Sequence, residues 1–374
     1  VSKQKLRILF VKRDDANAKF VTNDIQILKK QFDVDVDEVH MPKNFTIIFT
    51  FIRSFFSYLF RIPKYDLIYS WFADYHTFLP VMIGKLYRKK SIICVGGYEA
   101  TYIPEIEMGV FTSSNFRKKA RRFCTTYSHM NCSMILPVDD SLIENVNTYI
   151  YSKDPSRPPL RDGIRNMIPG IKTPMKTVRL GYDPEIFKRD EKIVKEKAVV
   201  CAGYITNKYE FMRKGFDVLF ECAKIMPDVK FILIGLNDEH FNMLNSSGLN
   251  NLELHRKVNY DELIRLYSSA KVYSQLSLFE GMPSTICEAM LCSCVPVGSD
   301  VNGIPGIIGD TGIVVKRKDI TLIAESIAQA LELPESSGVR ARERICSMFE
   351  IGKREREIIE IAKDITNTDH PDSL

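Results

Sequence analysis

Glu280 and Glu288 bracket the stretch Glu280-Gly281-Met282-Pro283-Ser284-Thr285-Ile286-Cys287-Glu288. The run opens as a loop and continues as a helix, so Glu280 precedes the helix start and Glu288 lies in its first turns. Gly281 permits close backbone approach, and Ser284 or Thr285 is expected to cap the helix. A helix start offers unpaired N–H groups and a partial positive charge, which suits a phosphate. Carboxylates on both sides of such a cradle can accept hydrogen bonds from sugar hydroxyls, and a sugar nucleotide asks for both. Upstream, Arg213-Lys214-Gly215 sets two cations against a glycine at a second helix start, a natural diphosphate clamp. Taken singly, these features also fit a capped helix with solvated glutamates and a solvated basic pair.

These residues need a scaffold. Short apolar runs at Arg7–Val11, Asp66–Ser70, Ser91–Val95 and Ser133–Pro137 read as strands, with helical patterns such as Thr22–Gln31 and Leu79–Tyr87 between them. The alternation restarts at Ala198–Gly203 and continues through Lys230–Gly235, Leu252–Leu254, Val272–Leu276, Val295–Ser299 and Gly312–Val315. Helices are expected at Gly215–Met226, Tyr260–Ser268, Ser284–Leu291 and Ile320–Leu333, and the closing segment Gly338–Thr366 is strongly helical and charged. Two sets of β/α alternation predict an α/β chain of two Rossmann-like domains with mostly parallel sheets. The Pro- and Arg-rich stretch 151–178 reads as a surface excursion. Reactive residues should follow the strands, at their carboxyl ends.

In that order and spacing, Arg213-Lys214-Gly215, the Glu280/Glu288 pair, Glu288-Ala289-Met290, Cys294-Val295-Pro296-Val297 and Gly303-Ile304-Pro305 followed by Gly312 resemble glycosyltransferase family 4. These are retaining GT-B enzymes. The resemblance is dense over residues 198–316 and diffuse before them; Leu180-Gly181-Tyr182-Asp183, with Phe187, looks like the family's turn into its second domain. It implies two Rossmann-like domains facing across a cleft: an acceptor-side domain over 1–187, a nucleotide-sugar domain over 188–340, and a closing helix in 341–374 packing back towards the first. It implies transfer from a nucleotide-diphosphate sugar to a glycan or lipid-linked acceptor, as in cell-surface polysaccharide or glycolipid synthesis, with no metal and no cofactor. Glu288 would bind the ribose hydroxyls, Lys214 and Arg213 would neutralise the leaving diphosphate, and Glu280 would contact the donor sugar. Backbone groups of Gly281, Met282, Pro283, Ser284 and Thr285 would hold sugar and phosphate, and the backbone near His255–Val258 would read the base.

Departures from the family's pattern matter. Tyr204 stands where many members have Arg, leaving Arg213 as a substitute cation. The first strand–helix loop reads Asp14-Asp15-Ala16-Asn17-Ala18-Lys19 in place of a glycine pair, with Lys19 offering a charge. Gly96-Gly97 replaces a His-Gly, so Gly96, Gly97 and Glu99 are candidates for contacts to acceptor or donor sugar. Asp74 and His76, just after a strand, are candidates to position or deprotonate the acceptor hydroxyl. Whether retention proceeds by front-face attack or a covalent intermediate is open at this point. Rivals are a sugar-nucleotide epimerase or sugar phosphorylase of the same fold, and a non-catalytic membrane- or nucleic-acid-binding protein.

Charge is divided unevenly. Residues 1–190 hold 30 Lys/Arg and 20 Asp/Glu, a net of +10, whereas the remainder has 22 and 27, a net of −5. The acidic half must therefore be locally basic at Arg213 and Lys214. The basic half is read as facing an acidic acceptor or lipid, with no nucleic acid as partner. Segment 44–61 is apolar around most of its circumference and 116–123 is a basic helix with aromatic ends; both are candidates for an anionic membrane surface, with burial against protein the alternative for the first. No run reaches the ~18 apolar residues of a membrane span. Nine cysteines without metal-ligand spacing, and no signal-like leader, point to the cytoplasm, with peripheral attachment to the inner membrane face. The alternating Asp33-Val34-Asp35-Val36-Asp37 reads as a half-exposed strand and not as a metal site.

Overall fold

The computed structural model describes residues 5–16, 18–41, 46–112, 116–152, 154 and 156–367. Asn17 of the first loop, Asn44 and Phe45 of the apolar segment, and Lys153 and Pro155 of the Pro-rich stretch lie outside them, as do Lys3, Gln4 and 368–374.

The chain forms two compact units, one of residues 1–145, 162–181 and 351–374, the other of 146–161 and 182–350. In unit 1, β1 (Arg7–Arg13), α1 (Lys19–Gln31), β2 (Asp33–Val39), α2 (Thr46–Arg61), β3 (Leu67–Trp71), α3 (Tyr75–Leu86), β4 (Lys90–Val95), α4 (Phe116–Asn131) and β5 (Met134–Pro137) alternate. Their sheet is parallel, in the order β2-β1-β3-β4-β5. β1, β3 and β4 are apolar runs because both faces are covered. The aspartates of edge strand β2 are held locally: Asp35 accepts from Tyr65 Oη at 2.6 Å, and Asp37 from Tyr58 Oη and Arg61 Nη1 at 2.5 and 3.0 Å.

A ribbon of β6 (Asn145–Asn147) and β7 (Leu160–Asp162), then α5 (Ile164–Met167), follows. This corrects the expected surface excursion over 151–178: Leu160, Ile164, Ile168 and Val178 are buried, and residues 162–181 belong to unit 1.

Unit 2 runs β8 (Glu196–Ala202), α6 (Lys208–Arg213), α7 (Phe216–Ile225), β9 (Lys230–Ile234), α8 (Asp238–Asn245), β10 (Leu252–His255), α9 (Tyr260–Ser269) and β11 (Ala270–Gln275). It continues with α10 (Ser284–Leu291), β12 (Val295–Ser299), α11 (Ile304–Ile308), β13 (Ile313–Val315), α12 (Ile320–Glu332) and α13 (Glu335–Met348). Its parallel sheet has the order β10-β9-β8-β11-β12-β13. The chain reverses direction across the sheet between β1 and β3 in unit 1 and between β8 and β11 in unit 2. Those switch points are where open α/β sheets bind ligands, at the carboxyl ends of the strands.

The closing helix is two helices. α13 stays with unit 2, and α14 (Ile351–Asn367) belongs to unit 1. The break is built at buried Phe349, whose carbonyl accepts from Tyr182 N–H at 2.8 Å. α14 packs on α1 and is pinned by Arg354, which grips Asp24 with two 2.7 Å hydrogen bonds and donates to the carbonyls of Val178 and Arg179. Asp24 also accepts from Trp71 Nε1 and Tyr69 Oη, so both members of this buried pair are fully engaged.

His129 on α4 has no such company: it is fully buried and neither ring nitrogen has a partner. Burial pushes its pKa down to about 3. Between that value and the unfolded ~6.5, only the unfolded chain takes the proton, so this residue costs stability as pH falls, about 3 kcal/mol by pH 4. His129→Phe removes two unsatisfied polar atoms at similar volume. The variant is expected to unfold at equal or higher temperature at pH 7 and to lose less stability between pH 6.5 and 4, as thermal melts across that range would measure.

Candidate active site

At the switch point of unit 2, two loops are sewn together by backbone. Leu278 N–H donates to the Arg213 carbonyl at 2.8 Å, joining the loop after β11 to the α6–α7 junction. Gly215 starts α7 with φ +74°, and a Cβ there would lie 2.4 Å from the Leu276 carbonyl oxygen. Glycine is required on both counts, and it holds Arg213 and Lys214 over the following loop.

Four donors converge on Glu280 Oε1: Lys214 Nζ at 2.5 Å, Ser277 Oγ at 2.9 Å, and Arg213 Nη1 and Gln275 Nε2 at 3.4 Å each. Burial alone would push the Glu280 carboxyl up; Lys214, then Arg213, outweigh it and hold its pKa below the usual range. Glu280 is therefore a buried carboxylate at neutral pH, with its second oxygen outside this set of donors. Arg213 is shared, since Glu210 takes its Nη2 at 2.6 Å.

Gln275 is the hub beneath. It accepts from Tyr273 Oη and Thr285 Oγ1 at 2.9 and 3.0 Å and donates to Ser277 Oγ at 2.7 Å. Sequence reasoning missed Gln275, Ser277 and Asn302. The first two follow Tyr273 at two-residue steps, the spacing that puts side chains on one face of a strand, and a glutamine inside a mostly buried strand is the signal that could have found them. Asn302, at φ +45°, accepts from Glu280 N–H at 3.3 Å, and Gly303 N–H donates to the Gly281 carbonyl at 3.3 Å. The Gly303-Ile304-Pro305 run thus supports the Glu280–Gly281 loop from below.

The expected caps of α10 differ. Pro283 is the N-cap and no side chain caps the helix. Thr285 is turned to Gln275, and Ser284 Oγ accepts from Tyr182 Oη at 3.3 Å. A proline has no hydroxyl to offer, so the first N–H groups of α10 have no side-chain acceptor, the condition that suits an incoming anion. Met282 is buried, and Glu288 sits half-buried one turn along. Its charge adds to burial and Cys287 in raising the Tyr182 phenol. Tyr204 stands exposed past β8. The His255 carbonyl is taken by the N–H groups of Gly235 and Leu236.

At the switch point of unit 1, Asp74 and His76 are both built into the β3–α3 turn. Asp74 caps α3, accepting from Tyr75 N–H, and is gripped by Arg121 at 2.9 and 2.6 Å and Arg13 at 3.1 Å. Burial pushes its carboxyl up, and Arg121 more than reverses that. Asp74 is 3% exposed and His76 2%, with His76 Nε2 placed 3.1 Å from the Trp71 carbonyl and its pKa depressed to about 4, chiefly by burial. Neither side chain is open to an acceptor hydroxyl in this arrangement; both hold the β3–α3 turn.

Glu99 is folded back on the end of β4, accepting from Gly96 and Gly97 N–H at 3.1 and 3.3 Å. Burial raises its pKa to about 7. Gly97 has φ +142°. Lys19 is the exposed first residue of α1. The structure thus gathers Arg213, Lys214, Glu280 and the start of α10 into one cluster, and gathers Gly96, Gly97 and Glu99 into another. Within unit 1, the pairing of Arg13 and Arg121 with Asp74 is what sequence spacing did not single out.

Comparison with known proteins agrees with this geometry. Residues 184–345 match the family model of glycosyl transferases group 1. The chain is 29% identical to N-acetyl-alpha-D-glucosaminyl L-malate synthase of Bacillus anthracis over 49% of this chain and 51% of that protein, so the match spans about half the relative's length. Among solved structures, sucrose-phosphate synthase from Thermosynechococcus elongatus superposes with a TM-score of 0.72 at 14% identity, covering 97% of this chain and 100% of that one. The Anabaena protein HepE in complex with UDP-glucose gives 0.68 at 14%, covering 96% and 100%. Residues 184–345 are thus similar to glycosyl transferases group 1, and the chain's two parallel α/β units have the GT-B architecture.

Proposed function

We propose that this protein is a retaining, metal-independent glycosyltransferase that moves a sugar from a nucleotide-diphosphate sugar to a glycan or lipid-linked acceptor. Cell-surface polysaccharide or glycolipid synthesis, on the cytoplasmic side, is the setting this reading assigns. The carrying observation is the cluster at the β8/β11 switch point: a buried, ionised Glu280 bound to Lys214 and Arg213, beside an α10 start without a side-chain cap.

Each part has a task in this reaction. Lys214 and Arg213 stabilise the charge that builds on the diphosphate as the glycosidic bond breaks. The N–H groups of α10, entered through Gly281, Met282 and Pro283, hold the phosphate, with Ser284 and Thr285 fixing the helix start. Glu280 offers its second oxygen to the donor sugar, and its negative charge favours the positive character of the reacting carbon. Glu288 accepts from the ribose hydroxyls. Gly96, Gly97, Glu99 and Lys19 are assigned to the acceptor side. Support for a nucleotide-sugar donor comes also from the fold shared with HepE, whose structure holds UDP-glucose.

The test is a panel of sugar nucleotides and nucleoside diphosphates in thermal unfolding, followed by product analysis. Bound ligand raises the melting temperature according to its excess over Kd. The expected result is protection by one nucleotide family and transfer only when acceptor is present, with the donor's anomeric configuration kept. An altered nucleotide sugar released without acceptor would assign an epimerase. Salt-sensitive polyanion binding without nucleotide protection would remove the catalytic reading altogether.

A further inference from the structure

The helical layer α2-α3-α4 of unit 1 carries a face that the transfer chemistry does not use. α2 is apolar on two sides. Phe51, Phe55, Tyr58 and Leu59 pack into the cluster of Leu9, Val11 and Ile68, while Phe49, Ile52, Phe56 and Phe60 point outward at helical spacing. Phe49 and Phe60 are each 75% exposed. Rings continue the face sideways: Phe51 lies 6.5 Å from Phe78 of α3, and Phe78 lies 5.7 Å from exposed Phe123 of α4. Contiguous exposed rings of this kind mark an interaction surface.

The charge on this layer is of one sign. α2, α3 and α4 contain no Asp or Glu, and α4 opens Phe116-Arg117-Lys118-Lys119-Ala120-Arg121-Arg122-Phe123. Arg121 is turned inward to Asp74 and Lys118 is near Glu107, but Arg117, Lys119 and Arg122 are exposed among Phe116 and Phe123. By contrast α14, packed on α1, mixes both signs along its length. A second protein with an apolar face would not call for an acid-free basic rim, and an acidic polymer would not call for a ridge of phenylalanines. A bilayer of anionic lipid takes both: rings enter the interfacial zone and cations meet the headgroups. Among the described residues, no helix is long and apolar enough to cross a membrane, so the contact is one of surface docking.

We propose that the outward face of α2 and the N-terminal half of α4 dock this protein on an anionic phospholipid bilayer. Tyr75 Oη donates to the Arg117 carbonyl, tying the start of α4 to the start of α3, which follows β3. The docking face therefore reaches the carboxyl end of the unit 1 sheet, beside the Gly96–Glu99 turn assigned to the acceptor. That last link rests on the glycosyltransferase reading; the docking itself does not.

The experiment is co-sedimentation of the full chain with phosphatidylcholine vesicles, with and without phosphatidylglycerol. Two triple variants are compared, Phe49→Ser/Phe56→Ser/Phe60→Ser and Arg117→Glu/Lys119→Glu/Arg122→Glu. The wild type should partition onto the anionic vesicles and be released by salt, and each triple should lower the partition coefficient at least about tenfold. Equal partition onto both vesicle types, or unchanged partition in both triples, overturns the proposal. So does a wild-type dimer that the serine triple dissociates, because a second copy would then cover the face. Nucleotide protection in thermal unfolding is measured on all three proteins. Protection without vesicle binding removes only the docking, and vesicle binding without protection in the wild type keeps the docking and removes the transfer reading.

Discussion

Lys214→Ala should lower kcat/KM for sugar transfer by about 10²–10³-fold, the scale seen when one charge-stabilising donor is taken from a transition state. Lys214 makes the shortest contact to Glu280, at 2.5 Å, and Gly215 leaves it little freedom to be elsewhere. Its loss acts twice. The leaving diphosphate keeps only Arg213, which is shared with Glu210. The buried Glu280 carboxylate also loses its leading partner, so its pKa rises from the depressed value towards that set by burial. The acid limb of the pH–rate profile should move upward with it, because activity that needs ionised Glu280 is lost as pH falls through the folded pKa. Lys214→Arg should restore part of the rate. Steady-state kinetics of the three proteins across pH would read both effects; a variant with wild-type kcat/KM would remove Lys214 from the mechanism.

Arg354→Met should destabilise unit 1 by about 3–5 kcal/mol, the cost of leaving the partner of a buried ion pair alone. Asp24 is fully buried, and its two hydrogen bonds from Arg354 also anchor α14 to the body of the unit. The loss strands two carbonyls besides, at Val178 and Arg179. Because the chain has two units, urea unfolding is expected to split: an early transition for unit 1 and a nearly unchanged one for unit 2. Adding Asp24→Leu to Arg354→Met should recover part of the loss, since the uncompensated charge is then gone. A single-site cost below about 1 kcal/mol would show that the pair does not hold the helix.

The strands and the main cluster were legible for different reasons. A run such as Ala198–Ala202 reads as a buried strand because a parallel sheet covered on both faces leaves no polar side. Arg213-Lys214-Gly215 and Glu280-Gly281 were legible because backbone geometry fixes their types. A Cβ on Gly215 has no room against Leu276, and the charges on either side must pair once buried. α6 was not, because its six residues, Lys208–Arg213, are too few for a period to emerge. Arg13 escaped notice, and Arg121 was read only as part of the 116–123 basic helix, because they reach Asp74 from 61 and 47 residues away. The uncapped start of α10 shows the limit of local reasoning. Ser284 and Thr285 have the right chemistry for a cap, but Tyr182 and Gln275, both distant in sequence, engage their hydroxyls instead.

In the proposed reaction, the β8/β11 switch point of unit 2 binds the nucleotide diphosphate of a donor sugar, with Glu288 on the ribose. Titration calorimetry of the nucleoside diphosphate selected by the ligand panel, into wild type and Glu288→Ala, tests it most directly. Glu288 is half-buried on a helix whose packing uses Ile286, Cys287 and Ala289, so the variant should keep its melting temperature without ligand. Glu288→Ala should bind at least about tenfold more weakly, as expected for a lost hydrogen bond to a charged group, with near loss of turnover. Unchanged affinity and unchanged turnover in a folded Glu288→Ala protein would contradict it.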